Sequence, residues 1–256
     1  MSKIKNAFDN GKAFIGFLTA GDPSLGKTGE FILSMADAGA DLIEIGIPFS
    51  DPIAEGEVIQ KANVRALSKG TNLKKIFEMV KGVRLKTKIP LVFLTYLNPV
   101  FTYGYDHFFK DCSEVGIDGI IIPDIPYEER NELLPFGEKY GIDIISLIAP
   151  TSESRIEQIA SSAKGFVYCV SSMGVTGIRS EIKTDLPSII ASIRSATNIP
   201  VAVGFGISTP QQAKAIGEFS DGIIVGSAIV KLIEEHGENS GKPLFEYVKK
   251  MKQAIV

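Results

Sequence analysis

Residues 41–47 read Asp41-Leu42-Ile43-Glu44-Ile45-Gly46-Ile47, a β-rich apolar run, and after a loop the chain continues with Val58, Ile59, Ala62 and Leu67 at the spacing of one helix face. Apolar residues stand at odd and even positions of the run alike, which suits a strand buried on both faces of a parallel sheet. The same strand-then-helix unit recurs along the chain, with strands expected at 13–20, 41–47, 90–97, 119–123, 144–149, 166–171, 200–205 and 222–226. Phe31, Ile32, Met35 and Ala36 mark the first helix face, and Ile189, Ile190 and Ile193 the sixth. Eight such units in 256 residues match an α/β fold of the closed (β/α)8 TIM barrel type, whereas a doubly wound sheet usually carries fewer strands. The second unit is long: residues 49–89 hold a loop, a helix ending near Gly70 and an inserted helix around Leu73 to Leu85. No linker, low-complexity tract or repeat divides the chain, so residues 1–256 are expected to form a single domain.

Composition narrows the function classes. With 45% hydrophobic residues the chain can bury one large core, and 27 Lys+Arg against 30 Asp+Glu leave a net charge of −3 without a basic block to track nucleic acid. Cys112 and Cys169 fall in a helix and a strand, as expected of reduced core thiols in a cytoplasmic protein. Lys3, Lys5 and Lys12 precede the apolar run from Ala13 to Ala20, but Gly16 interrupts it and Gly21-Asp22-Pro23 ends it as a turn, so it reads as the first strand and not as a secretion signal. No stretch approaches the roughly 20 apolar residues of a membrane span.

In a barrel the chemistry sits at the carboxyl ends of the strands. The two histidines, His107 and His236, lie in helical segments, which argues against a histidine triad or a His-rich metal site, and no metal is expected. No strand interior offers the lysine of a Schiff-base aldolase; Lys164 precedes its strand and belongs to the opposite face. Carboxylates remain. Alternation puts Leu42, Glu44 and Gly46 on one side of their strand, and a glutamate between aliphatic neighbours should have a raised pKa, suited to proton transfer near neutrality. A structural, hydrogen-bonded Glu is the plainer alternative; Gly46 should leave open space beside it. In the following loop Asp51 before Pro52 reads as a turn-shaping side chain, and Glu55 beside Gly56 suits either a helix entry or catalysis, which composition does not decide.

A phosphate site is better marked. Gly204-Phe205-Gly206 closes the seventh strand, Gly226-Ser227-Ala228 ends the eighth before a helix beginning near Ile229, and Gly174-Val175-Thr176-Gly177 lies in a long polar loop, Ser171 to Thr184. Backbone N–H groups at these places of a barrel commonly hold a phosphate, and glycine permits close approach; simple tight turns are the alternative.

These motifs together resemble one family. Phe17-Leu18-Thr19-Ala20-Gly21-Asp22-Pro23, Ile43 to Pro52, the Gly174–Gly177 loop, Gly204 to Ser208 and Gly226 to Lys231 are similar to the tryptophan synthase alpha subunit, in the right order over essentially the whole chain. The resemblance implies a barrel with an additional amino-terminal helix, and retro-aldol cleavage of indole-3-glycerol phosphate to indole and glyceraldehyde 3-phosphate. It places Glu44 as the proton shuttle at indole C3 and the side-chain hydroxyl, and Glu55 as acceptor of the indole N–H proton. The family usually has aspartate where this chain has Glu55 and proline where it has Glu57, and Glu55 is expected to act through a folded-back rotamer or a shifted loop. Phe17, Leu94, Tyr168 and Phe205 would flank the indole, though ordinary barrel packing accounts for aromatics too. Thr176 would close its loop over the site, and Gly177, Gly206, Gly226 and Ser227 would supply phosphate amides, with no weight on Ser172 or Met173. Pro48, Asp51 and the loop after the third strand, with Tyr96, Asn98 and Pro99, would face a beta subunit in an alpha2-beta2 assembly; pyridoxal phosphate would belong to that partner and this chain would need no cofactor. A stand-alone lyase, and a weakened barrel that mainly binds and activates the beta subunit, are the other readings.

Overall fold

Two periodicities build the molecule. Short runs rich in Ile, Val and Leu form the strands β1 (Ala13–Thr19), β2 (Leu42–Gly46), β3 (Leu91–Leu94), β4 (Gly119–Ile121), β5 (Asp143–Ile144), β6 (Ser146–Ile148), β7 (Val167–Val170), β8 (Val201–Gly204) and β9 (Gly222–Val225), with helices between them. The computed structural model describes residues 3–171, 185–204 and 206–256, the side chains of 153 and 154 excepted.

All neighbouring strands pair in parallel, in the order β5-β4-β3-β2-β1-β9-β8-β7-β6. The two ends of that order, β5 and β6, are consecutive in the chain, so the sheet closes on itself as a barrel of eight positions. The fifth expected strand, 144–149, is therefore two short pieces that begin one residue earlier. Asp143 and Ile144 pair with Gly119 and Ile120, Ser146 to Ile148 pair with Val167 to Cys169, and Ile145 between them is buried in the bore. A closing barrel tilts and staggers its strands, and here one strand divides its ladder between two neighbours.

Strand alternation sorts the core into two layers. Phe14, Leu18, Ile43 and Ile45 point outward and pack under helices, with Phe31, Ile32 and Met35 of the helix Leu25–Asp37 among them. Ala13, Ile15, Leu42, Val92, Ile121, Tyr168, Ala202 and Ile224 fill the bore. The amino-terminal element is a short 3-10 helix, Lys3–Phe8, whose fully buried Ile4 joins the bore layer, with Phe8 against Phe166 at 5.9 Å between ring centroids. A side chain at Gly119 would come within 2.7 Å of Ile4, so that glycine makes room for the plug.

The inserted helix after the second strand is present as Leu73–Arg84, following Glu57–Ser68. The third strand is shorter than expected: Thr95 and Tyr96 lead straight into a helix, Leu97–Tyr103, so Asn98 and Pro99 occupy a first helical turn and not a loop. Proline fits there because its missing N–H would have had no partner within the helix. Cys112 and Cys169 are free and buried, both histidines are exposed on helices, and among the described residues no helix is long and apolar enough to cross a membrane.

Candidate active site

Glu44 sits in the barrel wall. Its register partners are Phe17 on β1 and Val92 on β3, and its residue is 1% exposed. Its face is the one shared with Leu42, toward the bore, and its Oε1 has no hydrogen-bond partner. Leaving a buried polar atom unpaired costs about 1–3 kcal/mol, a burden that suits an atom meant for a ligand. Burial pushes the carboxyl up to about 8, because desolvation penalises the charged form. The space expected beside Gly46 is not open: a Cβ there would come within 2.6 Å of the Phe17 ring, so the glycine accommodates an aromatic.

Glu55 is held in a different manner. It ends the loop after β2, immediately before Gly56, the N-cap of the helix Glu57–Ser68. Asn63 Nδ2, two turns into that helix, donates to Glu55 Oε2 at 2.7 Å, and Gln60 Nε2 donates to the Glu55 carbonyl at 2.7 Å. The preceding Ala54 N–H donates to Tyr96 Oη at 3.1 Å, and Tyr96 lies 5.3 Å from the Phe49 ring. The acid is 6% exposed, and burial pushes it up to about 7 against the opposing bond from Asn63. Asp51 is exposed and accepts from the neighbouring Ser50 hydroxyl, as a turn-shaping side chain does.

Both acids open onto one cavity of about 690 Å³, its mouth included. Of the residues singled out from sequence, Phe17, Leu94, Tyr168, Gly206, Gly226 and Ser227 line it with Glu44 and Glu55. Absent side chains seat the aromatics: the Tyr168 ring occupies the place of a Cβ at Gly204, and a Cβ at Gly226 would touch Phe17 at 3.4 Å. Burial, with Glu44 nearby, drives the Tyr168 hydroxyl well above its ordinary range, so it remains a neutral hydroxyl. Gly206 adopts φ +84°, a left-handed conformation that favours glycine. The last helix at the cavity is Ser227–His236, beginning two residues before the expected start, with Gly226 as its N-cap and no side chain satisfying that end. The first amides of a helix lack partners within it, and this end, through Gly226 and Ser227, lines the cavity. Thr176, Gly177 and Phe205 lie outside the described residues.

Ile59, Pro123, Leu147, Ile207 and Ile224 also line the cavity and were not singled out, nor were Asn63 and Gln60. Ile224 was legible by alternation, two residues before Gly226; Asn63, four residues after Ile59, falls on the apolar helix face, but its bond to Glu55 carries no local signal. Among the positions expected to face a partner, Asp51 and Asn98 are exposed and Pro99 is half-buried, whereas Pro48 and Tyr96 are buried. Tyr96 is 1% exposed and lines the cavity, so its place is to hold the Ala54 segment and not to offer a surface.

Neither histidine lines the cavity, which two buried carboxyl groups share at the end of the barrel where the strands finish, the place where barrel enzymes carry their active sites. Comparison with known proteins narrows the class. Residues 3–256 match the family model for the tryptophan synthase alpha chain, and the chain belongs to that family. It is 48% identical to the tryptophan synthase alpha chain of Lacticaseibacillus casei over 255 residues, covering 100% of this chain and 96% of that one. Among solved structures it is similar to tryptophan synthase of Mycobacterium tuberculosis (33% identity, TM-score 0.90, covering 99% and 98% of the two chains). It is likewise similar to a chain of the tryptophan synthase a2b2 complex of Pyrococcus furiosus (36% identity, TM-score 0.87, 95% and 99%).

Proposed function

We propose that this chain carries out the alpha reaction of tryptophan biosynthesis, cleaving indole-3-glycerol phosphate to indole and glyceraldehyde 3-phosphate, with Glu44 and Glu55 as its two proton carriers. One observation carries the residue roles: two desolvated carboxyl groups face a single apolar cavity, one with an unpaired oxygen and the other fixed by an amide. Protonated Glu44 delivers its proton to indole C3 while ionised Glu55 takes the proton from the ring nitrogen, giving the 3H-indole tautomer. The Glu44 carboxylate then removes the proton of the side-chain hydroxyl adjacent to the ring. The bond from that carbon to C3 breaks, its electron pair restores the C2–C3 double bond, and the ring nitrogen regains its proton from Glu55. Both acids end in the states in which they began.

Phe17, Leu94 and Tyr168 flank the ring in this reading, and the amides of Gly206, Gly226 and Ser227 hold the phosphate at the helix end. Phe205, Thr176 and Gly177 complete the same site by family resemblance. Asn63 and Gln60 hold Glu55 beside the ring nitrogen in this reading. Carboxyl groups suffice for these proton transfers, so the reaction calls for no resident cofactor. We place the chain with a beta subunit carrying pyridoxal phosphate, as the a2b2 assembly of the Pyrococcus relative supports, with Asp51, Asn98 and Pro99 on the meeting surface, in a reducing cytoplasm that suits the two free thiols. One barrel domain over the full chain suffices for this activity. Indole release from indole-3-glycerol phosphate by the purified chain is expected alone and to rise when a beta subunit is added; a background signal in both conditions sinks the activity.

A further inference from the structure

The helix Glu57–Ser68 buries Ile59, Ala62 and Ala66 on its inner face, and Asn63 is buried beside them at 3% exposure. A primary amide on such a face is costly unless a partner repays it, and its Nδ2 donates to Glu55 Oε2 at 2.7 Å. Glu55 itself is in a loop, so this bond ties a loop carboxyl to a rigid element. Gln60 secures the same residue by its carbonyl and Tyr96 secures Ala54, so side chain and backbone are both fixed, from two elements.

We propose that Asn63 is a positioning residue for the cleavage: it aims the Glu55 carboxyl into the cavity and keeps that carboxyl ionised while the indole N–H proton is taken. The inference rests on the role of Glu55 given above. A neutral donor fits the task better than a cation. A lysine or arginine at this place would stabilise the carboxylate so strongly that it would accept no proton, whereas an amide orients it and lowers its proton affinity only in part. Among the described residues, the other titratable groups facing Glu55 are Glu44 on β2 and Tyr168 on β7 across the cavity, and Tyr96 from the segment after β3; Glu57 and Lys61 of the same helix pair with each other on the surface.

The test is steady-state indole release by the full chain, with beta subunit wherever it raises the rate, for Asn63→Leu, Glu55→Gln, Glu55→Asp and the pair Glu55→Asp/Asn63→Gln. Asn63→Leu is expected to lower kcat at least about 10-fold with KM within about 3-fold, and to move the acid limb of the pH profile up by about one unit, since a hydrogen bond to the ionised form is lost. Glu55→Asp shortens one partner by a methylene and Asn63→Gln lengthens the other, so the double variant should exceed Glu55→Asp by about 5-fold or more, which a merely structural role for Asn63 does not produce. Parent-like kcat and acid limb in Asn63→Leu, with Glu55→Gln inactive, overturn the inference while the function stands. A double variant no faster than Glu55→Asp overturns it even if Asn63→Leu fails to fold. Parent-rate turnover by Glu55→Gln removes the acceptor role and this inference with it.

Discussion

The two acids of the cavity are set in opposite ways. Glu44 belongs to a strand paired on both sides, where the backbone fixes its direction and no hydrogen bond holds its Oε1. Glu55 belongs to a loop, and side chains from a helix and from the neighbouring segment do the fixing. A wall residue is made reactive by what is withheld from it, a loop residue by what is attached to it. Both arrive near neutrality, at about 8 and about 7, by different balances of desolvation and hydrogen bonding.

The comparison breaks most directly at the acids themselves. Glu44→Gln is expected to reduce kcat by about 10³-fold or more, since it serves at two steps, and Glu55→Gln by about 10²-fold, since the ring nitrogen can lose its proton to water less well. Equal losses, or a larger loss at Glu55, would show that the loop acid is the main proton carrier. Next in size is the pH dependence. On the proposed roles Glu44 works protonated and Glu55 ionised, so the kcat/KM profile should fall below about 7 as Glu55 gains a proton and above about 8 as Glu44 loses one. Glu55→Gln should remove the acid limb and leave the other; a flat profile from pH 6 to 9 would contradict both assignments.

The smallest effect is on stability. Both acids have folded-state values raised above the ordinary 4.5, so the folded protein binds more protons than the unfolded chain between about 4.5 and about 8. Their contribution is fully present below 4.5 and is lost as pH rises, to about 7 for Glu55 and about 8 for Glu44. Urea midpoints should therefore fall between pH 5 and pH 9, and fall less in Glu44→Gln, which carries no titrating group at the more buried site. An unchanged difference between the two pH values in that variant would mean that Glu44 ionises inside the fold as readily as outside it.

The barrel was readable because its strands are apolar on both faces and alternate with amphipathic helices, a pattern few folds share. Glu44 was readable for the same reason: a lone acid in such a run stands out, and alternation gives its side. What escaped was set by distance in space. The side of Asn63 follows from its spacing to Ile59 and Ala62, but its partner Glu55 does not, because the loop conformation that brings the two together has no sequence period. The break at Ile145 escaped because both pieces have strand composition and only barrel closure separates them. Gly46 read as space and Gly204 as part of a phosphate cradle, yet Gly46 makes room for Phe17 and Gly204 for Tyr168, each from another strand, which no local pattern records.

The Ile4 stopper has a consequence for traffic. With Ile4 of the amino-terminal helix buried among the bore residues, the base of the barrel is filled among the described residues, and the cavity lies toward the end where the strands finish, a flask rather than a pipe. On the function proposed above, a protein seated over that end would receive the apolar product, so a lid and a conduit would be the same object.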